Sequence, residues 1–171
     1  MKPTVNADWV RMMSRYNVWQ NNTVALEVQA LGDAEAARDR GAFFGSILGT
    51  CSHLLWGDRI WLHRLAGGPK PPGGIPESAS LFSTVADWVS GRTETDAALM
   101  AWAEGLADGN LAEEVSWYSG ALQTDLRAPA GLVVTHVFNH ATHHRGQIHA
   151  MLTAAGRRPD DTDLFAMPGL R

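Results

Sequence analysis

The sequence predicts an all-α fold, a bundle of four long helices. Three observations predict it. Four long segments space their apolar residues at helical intervals. Proline is absent from Thr4 to Gly68, so the first two segments run without a breaker. Only residues 111–127 read as strand. Helices that each bury one face must pack on one another.

The first segment, about Asp8 to Leu31, carries Trp9, Met12, Met13, Tyr16 and Thr23 at helical spacing, and Gly32-Asp33 ends it. Residues 33–42 are charged and Ala-rich and read as a connection. The second segment, about Ser46 to Leu65, is apolar nearly all round, as in a helix buried on most sides. The run Gly67-Gly68-Pro69-Lys70-Pro71-Pro72-Gly73-Gly74 then forbids regular structure. A third helix is expected from Ser80, as N-cap, through Leu106, with Gly91 as a candidate interruption. Val115–Gly120 and Leu122–Leu126 suggest a short hairpin turning at Gly120. Pro129 precedes the last helix, about Gly131 to Ala155, which Gly156 stops. The tail from Arg157 reads as irregular. The connections before the third and fourth helices are long enough for a crossover topology.

Residues 1–171 read as a single domain. Fourteen basic against eighteen acidic side chains give a net charge of −4. That excludes a general nucleic-acid binder, which needs a basic face to displace counterions. Cys51 is the one cysteine, so no internal disulfide forms, and a reducing, cytoplasmic setting is expected. Met1-Lys2-Pro3-Thr4 leads into no apolar stretch, so no secretory leader is expected. No apolar run is long enough to span a membrane. No nucleophile elbow, phosphate loop or dinucleotide fingerprint is present.

Four of the seven histidines, His136, His140, His143 and His144, fall within one stretch of the last helix. At about 100° per residue, His144 lies about 40° to one side of His140 and His136 about 40° to the other. His140 and His144 therefore sit inside the apolar stripe with Val133, Val137, Ile148 and Met151. An i, i+4 pair of imidazoles presents two nitrogens to one point, the geometry of a helical metal site. His53, on the second helix beside the small Gly49 and Gly57, is the candidate third ligand. Three neutral imidazoles would leave coordination positions free for water or substrate. Imidazole binds metal only when neutral, so affinity is expected to fall below about pH 6. The plain reading stands beside this one: a histidine on an apolar face is often a hydrogen-bonded core residue. His63 is expected at the rim, His149 in solvent, and Cys51 as a small core hydrophobe. Phe138 falls on the far face of the helix, where it suggests a partner helix in a dimer. Arg145 points away from the site and invites an acidic partner.

These segments together resemble the DinB (damage-inducible) family. Tyr16-Asn17-Val18-Trp19-Gln20-Asn21 is similar to its first-helix pattern. His53-Leu54-Leu55-Trp56-Gly57-Asp58-Arg59-Ile60-Trp61-Leu62 resembles its second-helix histidine segment. His136-Val137-Phe138-Asn139-His140-Ala141-Thr142-His143-His144-Arg145-Gly146-Gln147 resembles its most specific signature, and Pro159-Asp160-Asp161-Thr162-Asp163-Leu164 its closing segment. The resemblance implies a four-helix bundle with up-down-down-up topology, usually a homodimer. It implies a divalent transition metal (nickel, zinc or iron) on His53, His140 and His144. Some relatives use a low-molecular-weight thiol in transferase or isomerase chemistry, and many have no assigned reaction. Hydrolase chemistry through a metal-bound water, or a non-catalytic metal-binding bundle, stays open. Asn17 and Asn21 are expected to bond structurally; Trp19, Trp56 and Trp61 to serve core or interface. His136, His143 and Gln147 line the site side without an assigned role, and no separate general base stands out.

Overall fold

The computed structural model describes residues 5–169; Met1–Thr4, on which the leader reading partly rested, lie outside them. Four long helices dominate: α1 (Ala7–Leu31), α3 (Ile47–Ala66), α5 (Val85–Glu104) and α6 (Ala130–Ala154). Short helices α2 (Asp33–Ala37) and α4 (Ile75–Ser78) sit in the two connections, and strands β1 (Glu114–Ser119) and β2 (Thr124–Pro129) precede α6. The helices pack in a closed square, α1 on α5, α5 on α3, α3 on α6 and α6 on α1.

Local chemistry starts each helix. The Asn6 side chain accepts the Trp9 amide at 2.8 Å, and Ser46 Oγ accepts that of Gly49 at 2.9 Å. Such caps satisfy amide groups the helix itself cannot. At the far end of α3, Gly67 takes a left-handed conformation (φ 69°) and returns its N–H to the His63 carbonyl. α5 begins later than the sequence suggests. Its cap is Thr84, whose Oγ1 accepts the Asp87 amide, whereas Ser80 Oγ is spent on the Glu77 carbonyl closing the α4 turn. Gly91 does not interrupt α5. A side chain there would meet Phe82 Cζ at 2.8 Å and an Arg59 nitrogen at 2.9 Å, so the glycine serves close packing. The expected hairpin forms, pairing Val115 with Ala128 and Trp117 with Leu126, but its turn takes in residues 120–123, so Leu122 and Gln123 lie in the turn rather than in the second strand.

Two apolar clusters fill the bundle. One gathers Val24, Val28, Leu55, Trp88, Ile148 and Leu152; the other Val10, Leu99, Leu106, Val134 and Phe138. Phe138 is thus buried, edge-on to Trp9 at 5.5 Å, and does not face a partner helix. The monomer's own α1 covers that face. Polar side chains from all four long helices are buried as well. Arg92 pairs with Asp58 at 2.6 Å and Asp96 at 2.8 Å, and Asn21 donates to Asp96 at 2.9 Å. Arg145 also turns inward. It donates to Asn17 Oδ1 and lies over the Tyr16 ring, so its partner is an amide rather than an acid. The tail, irregular apart from one short 3-10 turn, straps onto α1. Tyr16 Oη donates to the Thr162 carbonyl at 2.6 Å and Gln20 to that of Asp161 at 3.0 Å. No helix among the described residues is long and apolar enough to cross a membrane.

Candidate metal centre

His53 lies on α3; His140 and His144 lie one turn apart on α6, which packs directly against it. Gly57 makes the approach possible. A Cβ there would sit 2.9 Å from His140 Cε1, so His140 occupies the notch that the glycine leaves. One ring nitrogen from each of the three histidines lies within 4.8 Å of the other two. The Nε2 atoms of His53 and His140 are 3.2 Å apart.

Hydrogen bonds fix which nitrogens face inward. Ser78 Oγ donates its single proton to the Ile75 carbonyl at 2.6 Å. It must therefore accept from His53 Nδ1, 2.8 Å away, which leaves His53 Nε2 as a bare lone pair. Gln147 Oε1 accepts from His144 Nδ1 at 2.7 Å and sets the same tautomer there. His140 Nδ1 has no fixed partner among the described residues, so its proton can sit on either nitrogen. Two facing lone pairs repel unless a proton or a cation lies between them. Outer partners that orient an imidazole this way accompany nearly every histidine metal ligand.

Burial makes the rings poor bases. Loss of hydration pushes His53 down to about 4, with His144 nearby adding to the effect. It pushes His140 down to about 3, and the surrounding histidines add to that. His144 is lowered as well by burial, against the opposing pull of its bond to Gln147. The three rings are therefore neutral at neutral pH, each with a single N–H. Proton competition in the folded chain begins lower than the pH 6 expected from free imidazole.

The donor set fits a transition ion. It is three nitrogens with no carboxylate, which suits zinc, nickel or iron and not calcium or magnesium. Two nitrogens about 2.0–2.1 Å from a common tetrahedral ion would stand about 3.3 Å apart, close to the 3.2 Å between His53 and His140.

The other singled-out residues divide. Phe44, which the sequence did not mark, stacks on His53 with centroids 3.8 Å apart and tilts over His144 at 5.6 Å. Trp56 is buried and bonds the Pro72 carbonyl through Nε1 at 3.0 Å. His136 is exposed, between Trp61 at 5.3 Å and His140 at 5.7 Å; His143 is exposed beside His144 at 4.8 Å. Both flank the centre without joining it. His63 Nδ1 donates to the Gly68 carbonyl at 2.6 Å and takes no part in the centre. His149 is half-buried, not in open solvent. Cys51 is buried, its thiol raised by desolvation, and its carbonyl accepts from Trp88. Ser78, Phe44 and the Arg92 pairs carry no motif of their own. Gln147, three residues after His144, and Asp96, four residues after Arg92, had the spacing of helical side-chain partners.

The sequence model of the DinB family matches residues 1–169. The chain belongs to the DinB family. A crystal structure of a DinB-like protein from Bacillus cereus ATCC 10987 superposes with a TM-score of 0.64 at 15% identity, covering 85% of this chain and 90% of that one. That likeness is one of fold. No curated protein matches the chain.

Proposed function

We propose that this DinB-family chain binds one divalent transition ion, nickel, zinc or iron, through His53, His140 and His144, and uses it as a metal-dependent enzyme. The observation that carries the reading is the tautomer pattern. Ser78 and Gln147 hold two Nε2 lone pairs toward a point that His140 also reaches. When bound, such an ion supplies a lowered pKa to a ligated thiol or water, or polarises a carbonyl. The chain's own residues position that chemistry. Phe44 shields one side of the histidines, while His136 and His143 border the open side. A low-molecular-weight thiol is the favoured co-substrate, giving transferase or isomerase chemistry, with hydrolysis through water next. Asp58 offers no general base, because Arg92 holds it in a buried pair. That same pairing favours the alternative reading, a non-catalytic metal-binding or metal-stabilised dimeric bundle.

We further infer a single DinB domain over 1–171 with up-down-down-up topology. Trp9–Phe138 and Asn17–Arg145 support α6 running with α1. Gly57–His140 and Trp61–His136 support α6 running against α3, and Cys51–Trp88 with Asp58–Arg92 supports α5 running with α3. A cytoplasmic homodimer that takes neither nucleic acid nor membrane completes the reading. With Phe138 covered, the dimer rests on the family resemblance. The test is elemental analysis of untagged protein, then turnover of an electrophile with a small thiol. Metal at one per chain and thiol-dependent turnover lost in His140→Ala is expected. Neither bound metal nor uptake on reconstitution would overturn the reading.

A further inference from the structure

A groove of about 570 Å³ opens between the C-terminal ends of α3 and α5, strand β1 and the start of α6. Small-molecule sites occupy about 300–1,000 Å³. Leu65, Trp102, Leu106 and Leu111 give the groove an apolar floor, and Arg64 stands on its wall. None of the three clustered histidines lines it.

Arg64 is the odd arginine of the molecule. Among the described residues, every other buried or half-buried arginine donates to an acceptor: Arg11, Arg40, Arg59, Arg92, Arg145 and Arg157. Arg64 donates to none. Its guanidinium lies 4.5 Å over the Trp61 ring and 5.7 Å from that of Trp117. Stacking on an aromatic face fixes the plane of a guanidinium and leaves its edge donors free. The side chain is half-buried, and the lost hydration weakens its hold on the proton. A planar carboxylate is the group that meets such an edge with two parallel hydrogen bonds. Glu113 and Glu114, also on the groove, disfavour anything carrying more than one negative charge.

We propose that this groove binds a small monocarboxylate with an apolar body, its carboxylate on Arg64 and its body on the Trp102 and Leu106 floor. The site is separate from the histidine centre and does not depend on the metal reading.

The test titrates phenylacetate into the full chain and follows the assigned indole N–H signals of Trp102 and Trp117 by NMR. Benzyl alcohol and phenyl phosphate serve as neutral and dianionic controls. Saturable shifts in roughly the millimolar range or tighter are expected for phenylacetate. Arg64→Met should weaken binding about tenfold or more, and Arg64→Lys should keep part of it. Both controls should bind no better than phenylacetate binds to Arg64→Met. His140→Ala should leave phenylacetate binding unchanged. Equal binding of acid and alcohol, no loss in a folded Arg64→Met, or loss in His140→Ala would each overturn the proposal.

Discussion

His53 and Asp58 lie five residues apart on α3, and His144 and Arg145 are neighbours on α6, yet each pair divides between two different polar regions. In the inner region, Asp58, Arg92, Asp96 and Asn21 bond one another, and Arg145 bonds Asn17. Two buried carboxylates face two buried guanidinium groups, so the layer balances its own charge. In the histidine region every fixed group is an acceptor. Ser78 and Gln147 take up the outward protons and leave lone pairs converging. The difference teaches how to separate a structural polar cluster from a functional one. The first cancels its own charge, although Asp58 Oδ1, Asp96 Oδ2 and Arg92 Nε keep no hydrogen-bond partner; the second carries no charge and aims one nitrogen of each ring at a common point.

The largest effect that would break this comparison is expected in the inner layer. Arg92→Ala strands Asp58 and Asp96 in the core, and removal of one partner from a buried pair costs about 3–5 kcal/mol. Urea denaturation should show that loss directly. The triple replacement Asp58→Leu, Arg92→Met, Asp96→Leu should recover most of it, because the charges leave together. A triple variant as unstable as Arg92→Ala would show that the layer does more than balance itself. The histidine region should behave the other way. His140→Ala is expected to lower metal affinity by more than about 100-fold, measured by competition with a chelating dye, while the metal-free protein unfolds at nearly the wild-type urea concentration. A metal-free His140→Ala as damaged as Arg92→Ala would turn the histidines back into core residues.

A smaller effect sharpens the contrast. Ser78→Ala keeps all three rings and removes the acceptor that sets the His53 tautomer, along with the hydroxyl's bond to the Ile75 carbonyl. Metal affinity should fall about 10- to 100-fold, as it does when outer partners of a ligand are lost. Ser78→Thr keeps the hydroxyl and should restore part of it. An unchanged affinity in Ser78→Ala would mean that His53 needs no orienting partner.

The sequence made the histidine region legible and the inner layer legible only in part, for a physical reason. Asn17 and Asn21 were expected to bond structurally, but Arg92 and Asp96 were not singled out. Histidines are rare enough that an i, i+4 pair on an apolar stripe stands out, and Gly57 marked the close approach. The α1 face that is buried carries Ser14, Asn17, Gln20 and Asn21, so a search for an apolar stripe reads its flank instead. Arg145 and Phe138 were misplaced together. Helical angles give a side chain's direction around one helix but not which neighbours cover it, and α1 covers both. The start of α5 was read early because Ser80 and Thr84 both look like caps. Only the fold shows that Ser80 closes the turn of α4. Ser78, at the end of the one-turn helix α4, and Phe44, in the loop before α3, come from segments too short for periodicity to announce them.

The smallest expected effect concerns pH, and it tells the two regions apart without mutating the inner one. Free imidazole titrates near 6.5, whereas His53 is held at about 4 and His140 at about 3 in the fold. Above pH 6.5 both the folded and the unfolded chain carry neutral rings, and these residues contribute no pH dependence. Below it the unfolded chain takes up protons that the fold refuses, so stability falls as pH drops from about 6.5 toward 3. Partial solvent access moderates the penalty to about 1 kcal/mol, or roughly 2–4 °C in Tm for a chain of this size. The metal-free wild type should therefore lose a few degrees between pH 7 and 5 by differential scanning fluorimetry. His140→Ala should lose less over the same interval, because the least basic ring is gone, while the buried carboxylates that remain are common to both proteins. Parallel melting curves for the two would mean that the histidines are hydrated enough to titrate normally.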